Sequence, residues 1–159
     1  VKAFLQFADK QPSAHLYMIY HTEELLAELQ QLLDGSQQKD KVILIGRVPN
    51  LDLQNWYNSA DIILSGSHYE GSGTAVCEAM SCGCMPIVTD IFSFRMITDN
   101  GRCGLLYEAG NGPALLAALM QTQQIDIEEK KKTSLEYFKT NLSFEAIAGR
   151  IQEVAESLI

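Results

Sequence analysis

The sequence has no surplus of positive charge: 12 lysines and arginines stand against 20 aspartates and glutamates, for a net charge of −8. A nucleic-acid surface must neutralise many phosphates with clustered cations, so that class of partner is excluded. The only basic cluster, Lys130-Lys131-Lys132, sits among Glu128, Glu129 and Glu136 and reads as the decoration of a solvated helix. No apolar run approaches the ~20 residues that cross a bilayer. No secretory leader is visible either; Val1-Lys2-Ala3-Phe4 reads as the interior of a structural element. The four cysteines lack the paired C-x2-C spacing of a structural zinc site, since Cys77, Cys82 and Cys84 follow a C-x4-C-x-C pattern and Cys103 stands apart. They form no disulfide framework in a chain of this size, and free thiols in a reducing cytoplasm are expected. Asp-x-Asp metal motifs, repeats, low-complexity tracts and interdomain linkers are also missing.

What is present is an ordinary globular composition, with 47% hydrophobic and 20% charged residues over 159 positions. That suffices for a single domain with a real core. Residues 2–9 read as the end of an amphipathic helix through Phe4, Leu5 and Ala8. Short apolar strands are predicted at His15–Tyr20, Lys41–Gly46, Asp61–Leu64, Pro86–Thr89 and Gly104–Tyr107. Helices alternate with them: one opened by Thr22 as N-cap with a Leu25, Leu26, Leu29, Leu32, Leu33 stripe and ended at Asp34-Gly35, one over Asn50–Ala60, one from about Gly73 to Cys82, and a turn over Phe94–Ile97. The chain then turns helical, with Pro113 in a first-turn position, a charged helix over Ile125–Thr140 and a last helix over Ser143–Ile159. Short strands alternating with helices predict an α/β, Rossmann-like parallel sheet flanked by helices, with a helical C-terminal tail. Ligands of such folds bind beyond the carboxyl ends of the strands, where loops 46–50, 65–73 and 89–95 emerge.

One of those loops carries chemistry. The run Ser65-Gly66-Ser67-His68-Tyr69-Glu70-Gly71-Ser72-Gly73-Thr74-Ala75-Val76-Cys77-Glu78-Ala79-Met80 passes from a strand through glycines into a helix. Backbone N–H groups and the positive helix end converge at such a junction and favour phosphate. Gly71 and Gly73 would let the backbone come close to a ligand and take unusual dihedrals. N–H groups around Gly73, Thr74 and Ala75 would face a diphosphate. The carboxylates Glu70 and Glu78 are poor phosphate neighbours but good acceptors for hydroxyls. His68 is a loop histidine near Glu70, and His15 and His21 show no partner pattern. Arg95 could supply a charge in the 89–95 loop or pair with Asp99 one helical turn away.

These residues form an ordered set. Ala60-Asp61 with its strand, Glu70-Gly71-x-Gly73, the Glu70-x7-Glu78 spacing and Glu78-Ala79-Met80-Ser81-Cys82-Gly83-Cys84-Met85-Pro86 resemble the C-terminal nucleotide-binding domain of retaining GT-B glycosyltransferases of family 4. The upstream Val42–Val48 stretch and the downstream Asn100-Gly101-Arg102-Cys103-Gly104-Leu105-Leu106 stretch are similar to the same family, over residues 1 to about 125. The resemblance implies half of a GT-B fold and transfer of a hexose from a UDP-, GDP- or ADP-sugar to an acceptor hydroxyl, with retention, without metal and with no cofactor beyond the donor. It places ribose hydroxyls on Glu78, sugar hydroxyls on Glu70, the diphosphate at Gly71, Gly73, Thr74 and Ala75, and the base at the backbone of Arg47 and Val48. The family's Gly-Gly segment after Pro86 is replaced here by Phe92-Ser93-Phe94-Arg95.

The same comparison leads us to expect an N-terminally truncated donor-binding domain over residues 1–159. The family's Gly-Arg and Lys-Gly diphosphate clamp and its acceptor-binding N-terminal domain have no counterpart in these residues. The isolated chain is accordingly expected to be inactive. Polysaccharide biosynthesis in the cytoplasm, with peripheral membrane association of the full-length enzyme, fits this reading. Two alternatives stand beside it: another GT-B enzyme, such as a nucleotide-sugar epimerase or sugar phosphorylase, and a non-catalytic nucleotide-binding module.

Overall fold

Continuous apolar runs too short for helices become parallel strands here, because the helices between them cover both faces. The computed structural model describes residues 1–158, and its chain divides into two compact units. The first comprises Val1–Leu53 and Asn111–Gln124; the second comprises Gln54–Gly110 and the residues from Ile125 onward.

In the first unit, α1 (Lys2–Ala8) buries Ala3, Phe4, Leu5, Phe7 and Ala8 and packs on α6 (Gly112–Gln121), which buries Ala118 and Leu119. The Phe4 and Phe7 rings lie 6.1 Å apart in a tilted arrangement. Strands β1 (Leu16–Ile19) and β2 (Val42–Gly46) pair in parallel, with Leu16 opposite Val42. Gly46 takes φ +77°, and its carbonyl accepts the Tyr20 N–H at 3.1 Å, closing the end of the pair. The helix between the strands, α2 (Leu26–Asp34), starts later than expected. Thr22 is not its cap; Leu25 is, with no side-chain bond, and Leu25 itself is 61% exposed. The first-turn acids Glu23 and Glu24 therefore lie in the preceding turn. Only Leu33 of the stripe is fully buried. At the start of α6, the Asn111 side chain accepts the Ala114 N–H at 2.9 Å and Pro113 occupies the first turn, as the sequence predicts.

The boundary between the units falls within α3 (Asn50–Asn58). The second unit is a β-α-β-α-β layer in the order β3-β4-β5, all parallel: β3 (Ile62–Ser65), α4 (Thr74–Ser81), β4 (Met85–Thr89), α5 (Phe92–Ile97) and β5 (Leu105–Tyr107). All five residues of β4 are buried. Val76 and Met80 of α4, Val88, Phe94, Ile97 and Cys103 form the core beside it. Helix α7 (Ile127–Tyr137) crosses β4 and is tied to it by Ser134, whose hydroxyl donates to the Cys84 carbonyl at 2.9 Å.

Helix α7 is shorter than the predicted 125–140 span, because a π-helical turn over Phe138–Leu142 takes over. Lys130 and Lys131 are not solvent decoration. Lys131 pairs with Asp61 at 2.9 Å and Glu128 at 3.1 Å, and Lys130 donates to the Arg102 carbonyl at 2.9 Å. The last helix, α8 (Phe144–Glu156), starts at Ser143, whose hydroxyl accepts the Ala146 N–H at 3.2 Å. Its Phe144, Ile151 and Val154 are exposed. Ile159, the expected end of that helix, lies outside the described residues.

Two glycines of the second unit separate strain from crowding. A Cβ at Gly104 would lie 2.0 Å from the Pro86 carbonyl oxygen, whereas one at Gly83, with φ +85°, meets nothing within 4 Å. Gly104→Ala should therefore cost about 3 kcal/mol or prevent folding, the upper end for forced overpacking. Gly83→Ala should cost only the roughly 1–2 kcal/mol of a left-handed backbone; urea denaturation distinguishes the two.

Burial also pushes the Cys84 and Cys103 thiols up from 9.0 to about 11 each. A raised acid binds more protons folded than unfolded, so its contribution is complete below pH 9 and lost as pH rises toward 11. Stability should fall across that alkaline window, and a thiol reagent at pH 8 should label Cys84 and Cys103 only after unfolding.

Candidate functional site

Because β3 and β4 run parallel, the loops that follow them leave the same edge of the second unit. The loop after β3 is held at several points. Tyr107 of β5 donates its phenol to the Ser65 carbonyl at 2.9 Å, and the Thr89 hydroxyl of β4 donates to the Ser67 carbonyl. Ser67 in turn donates its hydroxyl to Glu70 Oε1 at 2.8 Å. Glu70 is thus a half-buried carboxylate whose orientation is set by the strands behind it. Burial raises the Tyr107 phenol above its usual range, so the bond to Ser65 persists across neutral pH.

At the start of α4, Gly73 is the N-cap, in the left-handed region with φ +64°. Its carbonyl accepts the Val76 N–H at 2.9 Å and the Cys77 N–H at 3.0 Å. The N–H groups of Thr74 and Ala75 belong to the first turn, which has no intrahelical acceptor for them. The Thr74 hydroxyl shares a 3.0 Å hydrogen bond with Ser72. Gly73 is required for two reasons: its φ, and the fact that a Cβ there would lie 2.9 Å from the Phe94 ring and 3.0 Å from Ile97. Its close approach is therefore to the core. Gly71 has no positive φ and would meet nothing within 4 Å, so it is Gly71 that leaves space toward solvent.

Glu78 lies one turn inside α4 and is exposed. The Tyr57 phenol of α3 feels its carboxylate: burial and then the Glu78 charge raise the Tyr57 pKa. Tyr57 is held from behind, since the Cys84 thiol donates to its carbonyl at 3.1 Å. Cys77, beside Glu78, is likewise shifted upward, first by burial and then by the Glu78 charge.

Six of the eight predicted site residues, Glu70, Gly71, Gly73, Thr74, Ala75 and Glu78, are thus gathered around one helix end in the second unit. Arg47 and Val48 follow β2 in the first unit, Arg47 exposed and Val48 buried in the core. Arg95 does not pair with Asp99. Its guanidinium forks onto Asp90, with Nη2 to Oδ2 at 2.8 Å, while Asp99 pairs with Arg102. Asp90 is the nearer partner because it precedes α5, whereas Asp99 has already turned into the left-handed backbone run Asp99-Asn100-Gly101.

Ser67 and Tyr57 are the supporting residues that sequence reasoning missed. Ser67 could have been suspected from its position three residues before Glu70. Tyr57 could not, because it lies 21 residues from Glu78 in the chain and only the fold brings its phenol under the influence of that charge.

The arrangement of parallel strands, glycine loop and carboxylate-flanked helix end is that of one half of a GT-B glycosyltransferase fold. The chain belongs to the glycosyl transferases group 1 family, whose model matches residues 1–136. It is 31% identical over 98 residues to the O-antigen chain mannosyltransferase B of Escherichia coli, covering 62% of this chain and 25% of that protein. It is 25% identical over 137 residues to the lipopolysaccharide core biosynthesis mannosyltransferase LpsB of Rhizobium meliloti, covering 84% of this chain and 38% of that protein. The chain therefore spans well under half the length of these relatives. Among solved structures, the C-terminal domain of a glycosyl transferase group 1 family protein (LpcC) from Francisella tularensis superposes with a TM-score of 0.78 at 21% identity, over 90% of this chain and 77% of that one.

The support behind Glu70 is directly testable. Tyr107→Phe removes the only side-chain donor seen on the Ser65 carbonyl among the described residues. It should lower stability by about 1 kcal/mol, measured by urea denaturation, with no loss of strand content by circular dichroism.

Proposed function

We propose that this chain is the donor-binding part of a retaining glycosyltransferase, which moves a hexose from a nucleotide diphosphate sugar to an acceptor hydroxyl. One observation carries the reading: two carboxylates, Glu70 and Glu78, flank a glycine-capped helix end within a single unit. The first-turn N–H groups of Thr74 and Ala75, together with the helix dipole, suit a diphosphate. Glu78 accepts from the ribose hydroxyls, and Glu70, held by Ser67, accepts from the hexose. A UDP-, GDP- or ADP-sugar is the expected donor.

In this reading the protein contributes electrostatics rather than acid–base chemistry. As the bond to the anomeric carbon breaks, negative charge grows on the diphosphate, and donors already aimed at it stabilise that charge without reorganisation. No metal step is needed, and the acceptor is bound by a further domain of the parent enzyme. Family membership and the mannosyltransferases among its relatives support sugar transfer. A cytoplasmic enzyme of polysaccharide assembly, associated peripherally with the membrane, is consistent with them.

Ligand-observed saturation-transfer NMR of the chain against UDP-, GDP- and ADP-sugars tests the proposal. One nucleotide class should bind, Glu78→Ala should weaken it about tenfold, the loss of one charge-assisted bidentate contact, and EDTA should have no effect. Glu70→Ala should weaken the nucleotide sugar but not the bare nucleotide diphosphate. Absence of binding by all three classes, or a Glu78→Ala variant indistinguishable from the parent chain, overturns it.

A further inference from the structure

Beside Glu70 the second unit has an open cleft of about 450 Å³ between the loop 68–72 and the start of α5. Its two walls differ. One carries His68, Tyr69, Glu70 and Ser72; the other carries Ile91, Phe92 and Met96 with Ser93 as its one polar side chain. Phe92 is 81% exposed and Met96 60% exposed, so the second wall presents large apolar side chains to solvent. They are held in place rather than left mobile: Phe94 and Ile97 of the same short helix are anchored in the core, and Arg95 is forked onto Asp90. Neither Asp90 nor Arg95 lines the cleft, and no lysine or arginine does. Among the described residues that line the cleft, Glu70 is the one carboxylate and His68 the one basic side chain.

Resting on the reading above, we propose that this cleft takes the transferred sugar and selects a neutral hexose bearing a methyl group, in an acetamido or 6-deoxy function, over the plain hexose. Glu70 accepts hydroxyls on one side of the ring. A fully hydroxylated ring would leave the opposite hydroxyls facing Phe92 and Met96, where the Ser93 hydroxyl is the one side-chain partner to replace their water. A methyl group set against that wall removes apolar surface from water instead. A sugar carboxylate meets Glu70 with no compensating cation and is rejected by like-charge repulsion. Phe92 and Met96 are therefore specificity determinants.

The test is competition binding to the chain with matched pairs, UDP-glucose against UDP-N-acetylglucosamine and GDP-mannose against GDP-rhamnose, with UDP-glucuronate as the charged probe. In the nucleotide class that binds, the methyl-bearing member should bind about fourfold more tightly, the ratio that corresponds to ~0.8 kcal/mol for one buried methylene-sized group. Phe92→Ser should bring that ratio to about one, and Phe92→Leu should keep it; an exposed position makes both variants easy to fold. Equal affinities within the pair, a ratio that survives Phe92→Ser, or UDP-glucuronate binding as well as UDP-glucose overturns the proposal while leaving nucleotide-sugar binding intact. Failure of every nucleotide and nucleotide sugar to bind overturns both readings together.

Discussion

The second unit depends on the burial of β4. All five of its residues are sealed from water, and every neighbouring element is fastened to it. Its flanking strands β3 and β5 pair with it on either edge. Ser134 of α7 bonds the carbonyl just before it, Gly104 closes against the Pro86 carbonyl with no room for a side chain, and Thr89 at its end reaches over to the β3 loop. A buried strand must have its backbone polar groups paired, and this one finds its partners in the two strands beside it.

The candidate site inherits its rigidity from that strand. Glu70 does not stand alone on a flexible loop: Ser67 holds it, Thr89 holds Ser67, and Tyr107 holds Ser65. Gly73 is pinned from the other side by Phe94 and Ile97, so the helix N-terminus cannot drift away from the carboxylate. Tyr57, whose phenol feels the Glu78 charge, has its carbonyl bonded by the Cys84 thiol next to β4. Glu70 and the first turn of α4 are thereby held by the strands behind them.

Much of this was legible beforehand because it is local. Short apolar runs located the strands of the described residues, and the αβ alternation specified their parallel pairing, which is found in two sheets. The Glu70-x7-Glu78 spacing placed one carboxylate before the helix and one inside it. Errors arose where a side chain had a choice of partners. Thr22 satisfies every local rule for a cap, yet the turn before α2 runs on to Leu25. Arg95 had a helix-spaced partner in Asp99 and took Asp90. The lysine triplet looked solvated, yet Lys131 lies against Asp61, seventy residues away. Each outcome turns on distances that sequence spacing does not encode.

The sequence by itself determined the strand–glycine loop–helix order, the two carboxylates and the family, because these follow from residue type and short-range spacing. Only the tertiary structure decided which groups support them. Tyr57 feels the Glu78 charge across 21 residues of sequence. Phe94 fills the space above Gly73 because α5 returns over the sheet. The apolar wall of Phe92 and Met96 faces Glu70 because two loops leave the same edge. Contacts of that kind are set by packing between elements distant in the chain, where no local periodicity records them.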